Sequence, residues 1–128
     1  ASGEHIYGRW EAQRYLSACA LNVLQTDPEW CGGVSELVRI CTVASLYDVH
    51  VIPHGHALHT PVHVVASQPP MTCPLVEYLV IKMSSYHHFE KDPPRVAGGQ
   101  IALPERPGFG IELDPARIEK QTRVQWRG

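Results

Sequence analysis

The sequence predicts an α/β fold built on a parallel sheet, and three observations lead there. Short apolar segments alternate with segments of helical periodicity, each apolar segment is marked by one ionisable residue, and those residues recur at nearly constant spacing.

The first strand-like segment is the very start of the chain, closing at Glu4, and Arg9 to Cys19 follows as a helix candidate. Leu21 to Gln25 is the second strand, just ahead of Asp27. Val34 to Tyr47 carries the clearest helical signal, because Leu37, Ile40, Cys41, Ala44 and Tyr47 recur at three-and-four spacing on one face. Gly32-Gly33 gives it a permissive entry turn. Val49 to Pro53 is the third strand, closed by His54; Leu58 to Ser67 is the third helix; and Leu75 to Ile81 is the fourth strand, interrupted by Glu77. Glu4, Asp27, His54 and Glu77 are separated by 23, 27 and 23 residues, about one βα unit per step with compact loops. In a parallel sheet the C-terminal strand ends share one face, so three carboxylates and an imidazole are expected on one rim.

From residue 82 the pattern of Ser84-Ser85, His87-His88, Asp92-Pro93-Pro94 and Gly98-Gly99 reads as exposed loop. Gln100 to Asp114 carries a short alternation (Ile101, Leu103), a Pro107-Gly108-Phe109-Gly110 turn and Ile111 to Leu113, and its plainest reading is a surface hairpin.

A chain of 128 residues suits one domain. Eleven Lys and Arg against thirteen Asp and Glu, scattered along the chain, leave a formal charge of −2 and no footprint for nucleic acid. There is no apolar run of about 18 residues for a membrane span, and Ala1 to His5 lacks a signal-peptide pattern. A soluble, cytoplasmic protein with no nucleic-acid or membrane partner is the expectation. The four cysteines form no CxxC pair and read as reduced thiols. His54, His56, His59 and His63 raise the question of zinc; His59 and His63 share a helix face, but Thr60 stands where an HExxH motif has glutamate, which makes a native zinc site the lesser reading and leaves room for adventitious binding.

Each rim residue also has a plain reading. Glu4 suits a solvated carboxylate near the chain start, Asp27 before Pro28 suits turn chemistry, and His54 between Pro53 and Gly55 suits a turn histidine. Glu77, inside an apolar run, is the one that needs a reason.

Five motifs in order carry a resemblance: Gly3-Glu4-His5; Gln25-Thr26-Asp27 with Trp30-Cys31-Gly32-Gly33-Val34-Ser35-Glu36; Pro53-His54-Gly55; Val76-Glu77-Tyr78; and Pro107 to Leu113. The sequence resembles the second half of the mandelate racemase/muconate lactonizing enzyme branch of the enolase superfamily, most closely its acid-sugar, rhamnonate-type dehydratases. The resemblance implies the C-terminal half (about strands 5 to 8) of a (β/α)8 TIM barrel over residues 1–95, and a tail segment over 96–128 that would pack on a capping domain. It implies Mg2+ with Glu4 as a metal ligand, and a dyad of His54 as base with Asp27 as its orienting carboxylate. Glu77 would be a third catalytic group, and His5, Trp30 and His56 would be substrate-binding. The implied reaction removes the proton next to the carboxylate of a sugar acid and expels water, giving a 2-keto-3-deoxy acid; a racemase or epimerase would share the enediolate. Other metal carboxylates belong to earlier strands, so the chain alone is expected to hold Mg2+ weakly and be inactive. Its expected partners are an N-terminal half or other copies of itself in a homo-oligomer. A non-catalytic oligomerising fragment is the alternative.

Overall fold

The computed structural model describes residues 1–126; Arg127 and Gly128, the last two residues of the expected tail segment, lie outside the described residues. The elements run α1 (Gly8–Ser17), β1 (Val23–Leu24), α2 (Pro28–Cys31), α3 (Val34–Ser45), β2 (His50–Val51), α4 (His59–Ser67), α5 (Met83–Tyr86), β3 (Val96–Ala97), β4 (Gln100–Ile101) and a 3-10 turn at Pro115–Arg117.

Strands β1 and β2 pair in parallel, with Val23 opposite His50 and Leu24 opposite Val51. The chain start joins the same layer: Ser2 bridges Leu24 in parallel, and the Gln25 N–H donates to the Ser2 carbonyl at 2.8 Å. On the far side the Val51 N–H donates to the Thr72 carbonyl at 2.8 Å, and the Glu77 N–H to the Pro53 carbonyl at 3.2 Å. Four segments thus lie side by side in chain order, although the expected fourth strand, Leu75 to Ile81, is not one. Pro74 removes a ladder donor, and the chain turns away over residues 80–82, leaving Val80 and Ile81 78% and 91% exposed. An apolar run with no sheet neighbour on one side and no cover above it keeps only its first half against the layer.

Helix α3 packs on this layer by the face its periodicity marks: Leu37, Ile40, Cys41 and Ala44 are fully buried. They share one core with Ile6, Leu24, Val51, Val64 and Cys73, and with Ala12 and Leu16 of α1. Tyr47 lies beyond the helix end, its hydroxyl 2.9 Å from Ser17 Oγ. Gly32 (φ +113°) ends α2 in a left-handed cap and Gly33 (φ +87°) begins α3, so the junction of the two helices rests on backbone conformations that side-chain-bearing residues resist. Glu36 then latches α1 onto α3: its carboxylate accepts from the Arg9 N–H at 2.9 Å and from Arg9 Nη1 at 2.8 Å.

Residues 82 to 95 are not all loop. Met83–Tyr86 forms α5, and Met83 is buried with Leu58 and Val62 in a second small core that also takes up Ile101. His87, expected to be exposed with His88, is only 4% exposed. Strands β3 and β4 form an antiparallel hairpin through Gly98-Gly99, placed a few residues before the hairpin the sequence suggests. Leu113 pairs antiparallel with Glu90 instead. No helix among the described residues is long and apolar enough to cross a membrane.

Candidate active site

Asp27 follows β1 and is fully buried. Its Oδ1 accepts from the Glu29 N–H at 2.7 Å, capping α2, whose first residue Pro28 has a backbone preset for a helix start. Its Oδ2 faces His54 Nδ1 at 2.9 Å. The turn role and the dyad arrangement coexist because the two carboxylate oxygens serve different neighbours. A buried carboxylate needs such partners, and here they come from two successive βα units.

His54 follows β2, held in the layer by its N–H donating to the Thr26 carbonyl at 3.4 Å. With Asp27 taking the Nδ1 hydrogen, Nε2 is turned toward the other rim carboxylates, 3.0 Å from Glu4 Oε2 and 3.6 Å from Glu77 Oε2. Both ring nitrogens therefore face carboxylate oxygens, Nδ1 toward Asp27 and Nε2 toward Glu4 and Glu77. His54 is 18% exposed on its side chain, whereas Glu4 is 49% exposed, so Glu4 is the more accessible partner.

Glu77 reaches this point without a regular strand. Its carboxylate accepts from the Gly55 N–H at 3.2 Å and from Gln25 Nε2 at 3.4 Å. The backbones of residues 55 and 77 pass so closely that a Cβ on Gly55 would lie 2.1 Å from the Glu77 carbonyl oxygen. Glycine is required there for contact, whatever its dihedrals. An open cleft of about 740 Å³ has Glu4, His5, Gln25, His54 and Glu77 in its wall.

The three residues expected to bind substrate divide. His5 lines the cleft, its Nε2 3.7 Å from Glu4 Oε1. Trp30, 48% exposed, meets the His5 ring edge-on at 5.4 Å. His56 stacks over His54 at 6.3 Å and 18°, but its Nδ1 lies 2.5 Å from Glu29 Oε2 and its ring abuts Tyr86. Gln25, Glu29 and Tyr86 thus belong to the neighbourhood and were given no role from sequence; Gln25 stands in the Gln25-Thr26-Asp27 motif, which was its available signal.

The four histidines from 54 to 63 do not converge. His63 Nδ1 contacts the His59 carbonyl at 2.6 Å, one turn back on α4. His59 Nε2 instead lies 2.8 Å from Glu90 Oε2, and Glu90 Oε1 lies 2.7 Å from His87 Nδ1. This second cluster, which the sequence did not disclose, is well buried.

An oriented imidazole beside oxygen donors, at the C-terminal ends of parallel segments, is equipped to move a proton on a small anionic molecule. Residues 1–117 match the family model described as enolase C-terminal domain-like, and the chain belongs to that family. Its α/β architecture is accordingly a half barrel of that family's fold. L-rhamnonate dehydratase of Saccharopolyspora erythraea is 30% identical over 120 residues, covering 89% of this chain and 30% of the relative. A crystal structure from Agrobacterium radiobacter, of an enolase described as a putative galactarate dehydratase with bound Na and L-malate, is 30% identical with a TM-score of 0.79. That likeness covers 98% of this chain and 36% of the other. L-talarate dehydratase from Polaromonas sp. JS666, complexed with Mg and L-glucarate, shares the fold at 21% identity and a TM-score of 0.74, over 98% and 34% of the two chains. The chain therefore spans about a third of the length of these proteins.

Proposed function

We propose that these residues are the base-bearing half of an acid-sugar dehydratase, working with further barrel segments in the same polypeptide or in a partner. The observation that carries this reading is His54, clamped at Nδ1 by buried Asp27 (2.9 Å) with Nε2 toward Glu4 and Glu77.

His54 Nε2 takes the proton from the carbon next to the substrate carboxylate. Asp27 fixes the ring's tautomer and faces the positive charge that the ring then carries. The imidazolium returns that proton to the hydroxyl on the adjacent carbon; the C–O bond breaks, its electron pair leaves with oxygen as water, and the resulting enol rearranges to a 2-keto-3-deoxy acid. Glu77, braced by Gln25 and Gly55, faces the substrate, donating a hydrogen bond if protonated or otherwise helping to hold the substrate carboxylate and the enediolate. His5 and Trp30 on one side and His56 on the other border the substrate.

The donors opposite His54 are carboxylate oxygens, the kind Mg2+ prefers. Glu4 would hold the ion, and the chemistry it supplies is Lewis-acid stabilisation of charge developing on the substrate carboxylate, worth several kcal/mol. Glu4 alone falls short of a full donor set, so Mg2+ binding by these 128 residues is weak and turnover requires the rest of a barrel. The same reading divides the chain into a barrel unit, 1–95, and a tail, 96–128, that docks on a capping domain, and places the protein in the cytoplasm as a homo-oligomer.

The test is keto-acid formation from a panel of five- and six-carbon aldonic acids with Mg2+, by the chain alone and with segments supplying the earlier barrel strands. Activity only in the mixture, abolished by His54→Asn, is the expected result; undiminished turnover by His54→Asn removes the mechanism. Proton exchange without water loss would instead indicate a racemase or epimerase, and inactivity in every combination a non-catalytic oligomerising fragment.

A further inference from the structure

We propose that His59, His87 and Glu90 form a binding site for a divalent transition metal of the zinc class, separate from the cleft and independent of the dehydratase reading. His59 opens α4, His87 caps the end of α5, and Glu90 comes just after the turn that follows. Each offers one ligand atom, and these atoms all lie within 4.8 Å of one another. The side chains are 11%, 4% and 10% exposed, so the cluster is enclosed where the catalytic rim is open.

Donor chemistry selects the ion. Two imidazole nitrogens and one carboxylate oxygen suit zinc and its neighbours, whereas Mg2+ favours oxygen throughout. Three protein ligands leave a fourth position for water or another group. Geometry agrees: the two imidazoles stand nearly perpendicular (84°) with centroids 5.0 Å apart, and both reach the same carboxylate. With metal–ligand bonds of about 2.0–2.1 Å, tetrahedral donors sit about 3.3 Å apart. The present imidazole–carboxylate contacts of 2.8 and 2.7 Å, one to each oxygen of Glu90, would open by about half an ångström, and the ligand atoms, all within 4.8 Å, would draw in around the ion.

The two contacts to Glu90 suit a hydrogen-bonded clamp as well as a metal site, since Glu90 serves two rings. His87 Nε2 is buried with no hydrogen-bond partner among the described residues; with Nδ1 turned to Glu90 and the ion, Nε2 keeps the ring hydrogen, so this cost accompanies the ring with or without metal. The donor set and its enclosure carry the assignment. The site also has something to hold. Glu90 pairs with Leu113, its neighbours exchange backbone bonds with Glu112 and Asp114, and Arg117 Nη1 donates to the Glu90 carbonyl at 3.2 Å. A metal here would fasten α4 and α5 to the segment from Glu112 to Arg117.

The experiment is calorimetric titration of the metal-stripped full chain with ZnCl2 and, separately, MgCl2, with melting followed in parallel. One Zn2+ per chain, no Mg2+ at this site and a higher melting temperature with Zn2+ are expected. Since His54 with Glu4 and Glu77 is a second nitrogen–oxygen set, the titration is repeated on His54→Asn, which keeps its Zn2+. Losing even an outer-shell partner weakens metal affinity by about 10–100-fold, so Glu90→Gln and His87→Gln lose at least that much. Should those variants fail to fold, zinc X-ray absorption of His54→Asn decides: two imidazole nitrogens are required. No Zn2+ uptake by the unmodified chain, or uptake lost in His54→Asn and kept in Glu90→Gln, overturns the proposal.

Discussion

Asp27 has two duties that one atom exchange separates. In Asp27→Asn the amide oxygen can still cap α2, because the Glu29 N–H at 2.7 Å demands an acceptor at the Oδ1 position. That places the amide NH2 toward His54 Nδ1, 2.9 Å away in the parent, where a donor stood opposite an acceptor before. The ring must answer with a lone pair at Nδ1, moving its hydrogen to Nε2, which then donates to Glu4 at 3.0 Å. Stability changes little, by about 1 kcal/mol or less, since one neutral hydrogen bond replaces a charge-assisted one. Asp27→Ala is different: it loses a helix cap, about 1 kcal/mol, and a hydrogen bond to a charged group, about 1.5–3 kcal/mol. Its cost is therefore about 2.5–4 kcal/mol, or roughly 10–16 °C in melting temperature for a chain of this size. Two assays separate the duties. Thermal melts of the chain rank Asn near the parent and Ala well below, while 15N long-range NMR of His54 shows Nδ1–H in the parent and Nε2–H in Asp27→Asn. On the proposed dehydratase reading the inverted tautomer removes the base, and kcat of the complemented chain is expected to fall by about 10⁴, the size of the same exchange in a serine-protease triad. If Asp27→Asn melts as low as Asp27→Ala, or if His54 keeps its hydrogen on Nδ1, the two-oxygen account is wrong.

Other outcomes follow from the same geometry. Gly55→Ala drives a Cβ to 2.1 Å from the Glu77 carbonyl; overpacking of this kind costs about 1–3 kcal/mol, so melting falls and the Glu77 to Gly55 contact opens, which a crystal structure of the variant displays. The Arg9 N–H, and then the Arg39 side chain, hold the Glu36 carboxyl below its ordinary value of 4.5. A lowered folded-state value stabilises above the unfolded one, so the α1–α3 latch weakens as pH falls below about 4.5; Glu36→Gln flattens the melting-temperature profile in that window and leaves it unchanged if the latch is inert. Burial pushes the Cys31 thiol up to about 11, while the hydrogen bond between Cys41 and Cys73, 3.4 Å apart, and then burial raise Cys41. At pH 8 iodoacetamide therefore labels exposed Cys19 first, by intact mass, and Cys31 and Cys41 only after denaturation.

Helices were more legible than strands for a physical reason. The α3 periodicity reports a face that is completely buried, so Leu37, Ile40, Cys41 and Ala44 mark it from sequence alone. Only Tyr47 departs, being one turn too late to reach the core. The segment Leu75 to Ile81 has the same apolar density but not the neighbours: Pro74 interrupts the ladder, and nothing described covers Val80 or Ile81. Apolar composition alone cannot say which surface a run will be given. The α5 turn was hidden because Met83 is the only buried residue in its four, too few for a period to show.

The rim was legible because parallel pairing converts a one-dimensional spacing into a shared position: Glu4, Asp27 and His54 each follow a segment of the ladder, so their side chains meet without further instruction. Glu77 arrives by another route, through the Pro53 carbonyl and a glycine whose missing side chain lets two backbones touch. Its place therefore depends on Gly55 as much as on its own segment, and a rim that is complete in sequence can be opened by one methyl group. The His59, His87 and Glu90 cluster lies at the other extreme. Its only local trace is the three-residue step from His87 to Glu90; His59 joins it from 28 residues upstream, through the packing of α4 on α5 that no local pattern specifies. A site set by strand order can be read along the chain, whereas a site set by helix packing has to wait for the fold.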